Sequence, residues 1–238
     1  MGGRRQLALT DDLVALVDRK EPDSGPASGR TVLTETDYEA AAWSVLSTNA
    51  SRPLWLFAYG SLVWKPDFDH VEHRLGRAFG WRRSFCLDIK RWRGTPEQPG
   101  LMLALEGGGS CWGIAYRLPD GQDHAQMLRL LKREVSYSEN LATVRWIDVH
   151  SDAGKIRALA FWAVPRKLEY YINLPIEEQA RRLARAAGHV GSCAEYLHKT
   201  VVKLGELGIH DTYLWRLQHL VATEIRTMHS IADKGARP

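Results

Sequence analysis

The sequence predicts an α+β fold, and two observations carry that expectation. Short apolar and aromatic runs cluster between Leu54 and Val164, whereas helical periodicity closes the chain from Ile176 onward. Strands gathered in one stretch and helices in another argue against a doubly wound parallel sheet, which alternates the two throughout. At 238 residues the chain is long enough for one domain of about 200 residues or two small ones.

Residues 1–31 are expected to form a flexible N-terminal extension. A short amphipathic piece, Leu7 to Val17, is followed by Glu21-Pro22-Asp23-Ser24-Gly25-Pro26-Ala27-Ser28-Gly29, whose Pro, Gly and Ser content suits a linker. Thr36 with Glu39 three residues on matches a capping box and predicts a helix through the alanine-rich segment Tyr38 to Leu46. Leu54 to Tyr59 then reads as a buried strand stopped by Gly60. The turn at Gly60 is expected to use the positive φ that glycine permits. Further strands are expected at Phe79–Ile89, Leu101–Leu105, Trp112–Arg117 and Ala158–Val164, bounded by turn signals such as Arg93-Gly94-Thr95-Pro96 and Leu118-Pro119-Asp120-Gly121. These strands can share one sheet or a small barrel. Ala125, Leu128 and Leu131 recur at helical spacing and predict a helix over Gln122–Glu134. Later helices are expected at Ile176–Ala187, Tyr196–Leu207 and Tyr213–Ile231.

Composition narrows the functional classes. Hydrophobic residues make up 45% and charged residues 25%, which suits a folded globular chain. The net charge of +4 is small, and its basic residues are interleaved with acids, so no nucleic-acid partner is expected. Three widely spaced cysteines, Cys86, Cys111 and Cys193, suggest neither a disulfide framework nor a zinc clip and fit a reducing compartment. The two arginines near the N-terminus are followed by no apolar run, and no continuous apolar stretch reaches about 18 residues, so the expected setting is cytoplasmic, with no membrane partner.

Several weaker signals carry little. His70 and His73 lack a third ligand, so no metal site is expected. Gly188-His189-Val190-Gly191 follows a helix, the wrong context for a dinucleotide loop. Cys193, Glu195 and His198 suggest thiol chemistry less readily than a buried structural cysteine. Tyr59-Gly60-Ser61-Leu62 is more informative, because a strand ending in glycine and serine can turn sharply and present successive backbone N–H groups to an anion.

That turn does not stand alone. Phe57-Ala58-Tyr59-Gly60-Ser61-Leu62-Val63-Trp64-Lys65-Pro66 resembles the opening motif of the ChaC family of γ-glutamylcyclotransferases. Trp81 to Cys86, Arg93 to Gly100, Gly113 to Leu118, Arg133-Glu134 and Gly191 to Leu197 are similar to that family's later signatures, in the same order. The resemblance spans about Leu54 to Leu220. It departs at Leu101-Met102, where the family often has arginine and valine, and near Ser136 or Ser138, where it often has a glycine.

The resemblance implies a single γ-glutamylcyclotransferase-like domain over residues 32–238, built as a small mixed β-barrel or strongly bent sheet flanked by helices. It implies a cofactor-free enzyme that cleaves glutathione to 5-oxoproline and cysteinylglycine, with Glu134 as the catalytic carboxylate. Gly60, Ser61 and Leu62 would hold the substrate α-carboxylate through their N–H groups, beside Tyr59 and the Ser61 hydroxyl. Arg83 is either a substrate-neutralising group or the outward charge of an alternating strand, and Tyr196 either a pocket hydroxyl or a core aromatic. Lys132 and Arg133 would oppose a raised Glu134 pKa if close, but adjacent helical residues point in different directions, so they need not touch it. Two other readings stay open: cyclisation of another γ-glutamyl amino acid or amine, and a non-catalytic regulator of cation transport. No motif encodes an oligomeric state.

Overall fold

The apolar run ending at Gly60 becomes β1 (Trp55–Ala58), a strand with every side chain buried. In this computed structural model residues 7–26, 29–49, 53–164 and 169–235 are described, with side chains to residue 230. β1 pairs antiparallel with β3 (Gly100–Arg117), in a register running from Trp55 opposite Arg117 to Ala58 opposite Ile114. It pairs parallel with β5 (Gly154–Phe161) through Leu56 and Leu159. β2 (Glu72–Ile89) and β4 (Val144–Ser151) complete a closed barrel in the order β1-β3-β2-β4-β5. The α+β expectation therefore holds, and the sheet is a barrel rather than an open bent sheet. Closure leaves it without edge strands to pair with other chains.

Three sequence expectations are corrected in the sheet. β4 was not foreseen, although Ile147 and Val149 are buried on one of its faces and Trp146 on the other, where its Nε1 donates to Thr48 Oγ1 at 3.1 Å. Arg145, Asp148 and His150 on the same strand mask both faces in a residue-by-residue reading. Leu101–Leu105 and Trp112–Arg117 are two ends of one 18-residue strand rather than two strands. The intervening Gly107-Gly108-Gly109 reads as a turn, but Gly108 and Gly109 keep positive φ within the strand while the Arg82 side chain of β2 lies against them. Gly60, finally, has φ −129°, so its place in the turn does not depend on positive φ.

The chain folds as two compact units. One contains the described residues of 28–84 and 103–171. Its buried core includes Leu56, Phe57, Leu105, Ala115 and Leu159. Here α2 (Glu35–Ser47) packs along α4 (Asp123–Glu134). α2 begins two residues earlier than expected, because the capping box is closed by Thr34 and Asp37 rather than by Thr36 and Glu39. α4 forms as its spacing predicts and buries Gln126, Met127, Leu130 and Leu131.

The other unit contains the described residues of 1–27, 85–102 and 172–238. α1 (Asp11–Val17), α5 (Ile176–Arg185), α6 (Cys193–Glu206) and α7 (Thr212–Gly235) pack together, and the short β6 (Ala187–Gly188) and β7 (Gly191–Ser192) pair just ahead of α6. Of the expected N-terminal extension, residues 1–6 and 27–28 lie outside the described residues. Within the rest, Leu9, Val14 and Val17 are buried, and the Gln218 side chain accepts hydrogen bonds from the N–H groups of Ala8 and Leu9. Among the described residues no helix is long and apolar enough to cross a membrane, and no cluster of three or more His, Cys, Asp or Glu is arranged to hold a metal ion.

Candidate active site

Leaving β1, the chain passes through Tyr59 and Gly60 into α3 (Ser61–Trp64), a single helical turn. Val63 N–H donates to Gly60 O at 3.0 Å and Lys65 N–H to Ser61 O at 2.8 Å. Tyr59, Gly60 and Leu62 are buried, while Ser61 is partly exposed. The Tyr59 hydroxyl is turned away from the α3 end and donates to Phe161 O of β5 at 2.5 Å.

Arg83 settles beside this turn. It is 4% exposed, which excludes the outward charge of an alternating strand. Its Nε donates to Tyr59 O at 2.7 Å, and its Nη2 donates to Trp112 O. A buried guanidinium with these acceptors fixes the backbone just ahead of Gly60 and ties β1 to β2 and β3 at that level.

Glu134 is the last residue of α4, followed by the extended Val135. Its carboxylate lies 3.1 Å from Arg133 Nε, so of its two basic neighbours Arg133 is the one that touches it. Divergence holds inside a helix, whereas at the end of α4 no further turn constrains the last side chain. Arg133 also donates to Pro66 O at 3.0 Å and to Lys65 O at 2.6 Å. Lys65 N–H is in turn bonded to Ser61 O, so one arginine joins the end of α4 to the end of α3. Lys65-Pro66 and Arg133-Glu134, segments about 70 residues apart in sequence, are thus joined through this arginine. Lys132 points elsewhere, to Glu35 of α2.

The Glu134 side chain keeps 23% of its surface exposed, so solutes can reach it, yet the dense protein around it disfavours charge. Burial raises its pKa above the ordinary 4.5, and the charge and hydrogen bond of Arg133 oppose that rise without cancelling it. A carboxylate so placed takes up a proton more readily than an ordinary one.

Tyr196 lies in the other compact unit. It is buried, with its ring edge-on to Phe85 at 6.0 Å and the Arg93 guanidinium carbon 5.5 Å from its centre. Arg93 also donates to Ser192 O and Glu195 Oε2, both at 2.6 Å. These surroundings are those of a core aromatic. Cys193 is fully buried, its thiol directed to Arg93 O at 3.1 Å, and burial pushes its pKa to about 11. Such a thiol is unsuited to nucleophilic work. Sequence reasoning missed Arg133 as the link between the two segments; the only available signal was its place inside the Arg133-Glu134 motif.

Comparison with known proteins shows the family. A glutathione-specific γ-glutamylcyclotransferase of Escherichia coli (strain K12) is 38% identical over 84% of this chain and 87% of its own length. γ-Glutamylcyclotransferase 2-1 of Arabidopsis thaliana is 31% identical over 72% of this chain and 83% of its own. The crystal structure of a selenomethionine-labelled γ-glutamylcyclotransferase specific to glutathione from yeast superposes with a TM-score of 0.64, at 19% identity, covering 72% of this chain and 96% of that one. This last likeness speaks for the fold. Residues 54–224 match the ChaC-like protein family, and the chain belongs to it.

Proposed function

We propose that this chain is a glutathione-specific γ-glutamylcyclotransferase, releasing 5-oxoproline and cysteinylglycine. The observation that carries the proposal is the position of Glu134, a carboxylate of raised pKa fastened through Arg133 to the segment that continues the Tyr59–Leu62 turn. The curated name of the Escherichia coli relative supports the choice of glutathione.

The chemistry asks little else of the protein. The nucleophile is the substrate's own γ-glutamyl amine, and its attack on the side-chain carbonyl closes a five-membered ring. Holding the glutamyl group in its cyclising shape supplies a large effective molarity, so no enzyme nucleophile is needed. Glu134 accepts the amine proton as the new N–C bond forms and returns it to the cysteinyl nitrogen as the old C–N bond breaks. The carboxylate therefore ends the cycle as it began.

Binding is assigned to the turn. The first N–H groups of a helical turn have no intrahelical acceptor, and those of Gly60, Ser61 and Leu62 are proposed to hold the substrate α-carboxylate, with the Ser61 hydroxyl beside them. Arg83 acts through the Tyr59 carbonyl, keeping the turn in place. Tyr59 contributes by tying the turn to β5. No step is routed through Tyr196. An odd number of widely spaced cysteines fits action in the reducing cytoplasm.

Incubating the purified protein with glutathione and following 5-oxoproline and cysteinylglycine tests the reading. A panel of other γ-glutamyl amino acids and amines measures its specificity. Release from glutathione at a kcat/KM well above the rest is expected. Preferential turnover of another γ-glutamyl compound would replace glutathione as the substrate, and no 5-oxoproline from any of them would overturn the proposal.

A further inference from the structure

The stretch that follows Glu134 is held by residues that precede the family-matched region, which begins at residue 54. Thr31 O accepts from Ser138 N–H at 3.0 Å, Leu33 N–H donates to Ser136 O at 3.4 Å, and Val32 forms an antiparallel bridge with Tyr137. The Tyr38 hydroxyl of α2 donates to Val135 O at 2.7 Å, at the residue after Glu134.

Arg30 locks this pairing from one end. Its Nε donates to Glu139 Oε1 at 2.5 Å and its Nη2 to Asn140 Oδ1 at 2.7 Å. Its guanidinium carbon lies 3.8 Å from the centre of the Tyr137 ring and 4.6 Å from that of Tyr170, whose hydroxyl donates to the same Asn140 oxygen at 2.7 Å. A planar cation stacked on two rings and bonded to two acceptors is a geometry that arginine provides and lysine does not.

α2 then continues along α4. Glu35 pairs with Lys132, Glu39 lies 3.1 Å from His124, and the Trp43 ring stacks on His124 at 4.3 Å. Residues 30–43 thus hold both the helix that ends in Glu134 and the chain that leaves it, whereas Arg133 holds the same point from the α3 side. Without them, Glu134 would sit at a helix terminus, where chains fray.

We propose that residues 30–38 form a brace that fixes the position of Glu134, with Arg30 as its principal positioning residue. The proposal rests on the cyclotransferase reading above and extends it to residues outside the family motifs. Arg30 touches no reacting atom; it acts by holding residues 137–140, and through them the backbone at Glu134.

Arg30→Ala, Arg30→Lys and Tyr38→Phe, compared with wild type and Glu134→Gln, provide the test. For each, kcat, KM for glutathione and the pH profile of kcat are measured at a temperature where circular dichroism shows a folded protein. Arg30→Ala should lower kcat roughly tenfold, less than the about 10²-fold that a 1 Å misplacement can cost. KM should stay within about twofold, because the partners of Arg30 are Tyr137, Glu139, Asn140 and Tyr170 and not residues of the binding turn; lysine should restore part of the loss by keeping the charge near Glu139.

The acidic limb of the profile should also move to lower pH. Among the described residues the charged or titratable groups near the end of α4 include Lys132 and Arg133 on that helix, Lys65 and Asp67 after α3, Glu35 and Tyr38 of α2, and Arg30, Tyr137 and Glu139 in the pairing that follows. Arg30→Ala removes a cation and leaves Glu139 without it, changes that would move the limb to higher pH, so a limb moved to lower pH reports hydration of Glu134. Folded Arg30→Ala and Tyr38→Phe proteins with wild-type kcat and an unmoved limb, even at reduced Tm, would show a purely structural clasp and overturn the brace. If Arg30→Ala does not fold, Tyr38→Phe decides, since it keeps the ring and removes only the bond to Val135 O. Wild-type protein that releases no 5-oxoproline would overturn the cyclotransferase reading and the brace with it, whereas a fully active Glu134→Gln would leave that reading standing and overturn the role of Glu134, and with it the brace. An active wild type, a crippled Glu134→Gln and unaffected brace variants would sink the brace alone.

Discussion

Replacing Glu134 with glutamine separates catalysis from stability, because the two should move in opposite directions. Glutamine keeps the size of glutamate and an oxygen for Arg133 Nε, which stands 3.1 Å from Oε1 in the native protein. Arg133 keeps its bonds to Lys65 O and Pro66 O, so no buried cation is orphaned. What disappears is the capacity to take and return a proton. General acid–base catalysis contributes about 10²–10⁴-fold, and kcat should fall by that factor with KM nearly unchanged. This corresponds to about 3–5 kcal/mol of barrier.

Stability follows from the sign of the pKa shift. Burial outweighs Arg133 and raises the folded pKa above 4.5, so folding favours the protonated form. The associated stabilisation is complete below the unfolded pKa and is lost as pH rises through the folded value. At pH 7 the ionised native side chain therefore carries a net penalty that a neutral glutamine avoids. Tm of Glu134→Gln should equal or exceed that of wild type at pH 7, and the difference should close below about pH 4.5. Wild-type kcat should rise with pH through the raised pKa, and that limb should be missing from the residual rate of the variant. Single-turnover release of 5-oxoproline and thermal melts across pH measure both effects. A folded Glu134→Gln protein with near-native kcat would refute the proton-transfer role, and a lower Tm at pH 7 would refute the electrostatic account.

Three further outcomes follow from the geometry. Arg83→Met removes the donor to Tyr59 O and Trp112 O; each orphaned carbonyl costs about 1–3 kcal/mol, so a loss of roughly 2–6 kcal/mol in urea unfolding is expected, with a raised KM for glutathione. An unchanged urea midpoint would contradict it. Gly113→Ala would set a Cβ 2.3 Å from Ala58 O and 2.8 Å from the Phe57 ring, so β1 must shift just ahead of the turn; a destabilisation of about 1–3 kcal/mol is expected by thermal melts, and native Tm would show the strand free to move. Cys193, with its pKa pushed to about 11, should resist alkylation at pH 8 until denaturant is added, and the stability tied to its protonated form should fade as pH rises from about 9 to about 11. Mass spectrometry of the alkylated peptide tests the first point, and rapid native-state labelling would refute it.

Much of the site was legible because its parts are local. Leu54 to Gly60 reads as a strand meeting a turn whatever surrounds it, and Arg133-Glu134 falls at the end of a helix whose spacing is plain. The misreadings occur where local signals compete. Thr34 with Asp37 and Thr36 with Glu39 are overlapping cap candidates of the same spacing, and only the formed hydrogen bonds choose the first. The Gly107–Gly109 run has the composition of a turn, and pairing within the barrel makes it strand. β4 mixes charged and apolar residues along both faces, so its alternation is broken in the sequence and its buried residues are set by the barrel and by α2.

By itself the sequence determined the α+β class, most of the barrel-forming runs and the strand-to-turn step at Gly60, since these depend on residue type and short-range spacing, whereas Glu134 was singled out only by the resemblance of its segment to the family motif. Tertiary structure alone decided how those residues behave. Arg83 became a buried clamp on Tyr59 O rather than a surface charge because the closed sheet leaves it no path to water. Arg133 came to link two helix ends, and residues 30–38 came to lie against the chain after Glu134, through contacts between segments far apart in sequence. The raised pKa of Glu134 belongs to the same level, because desolvation is a property of everything packed around a carboxylate and has no signature in the residues next to it.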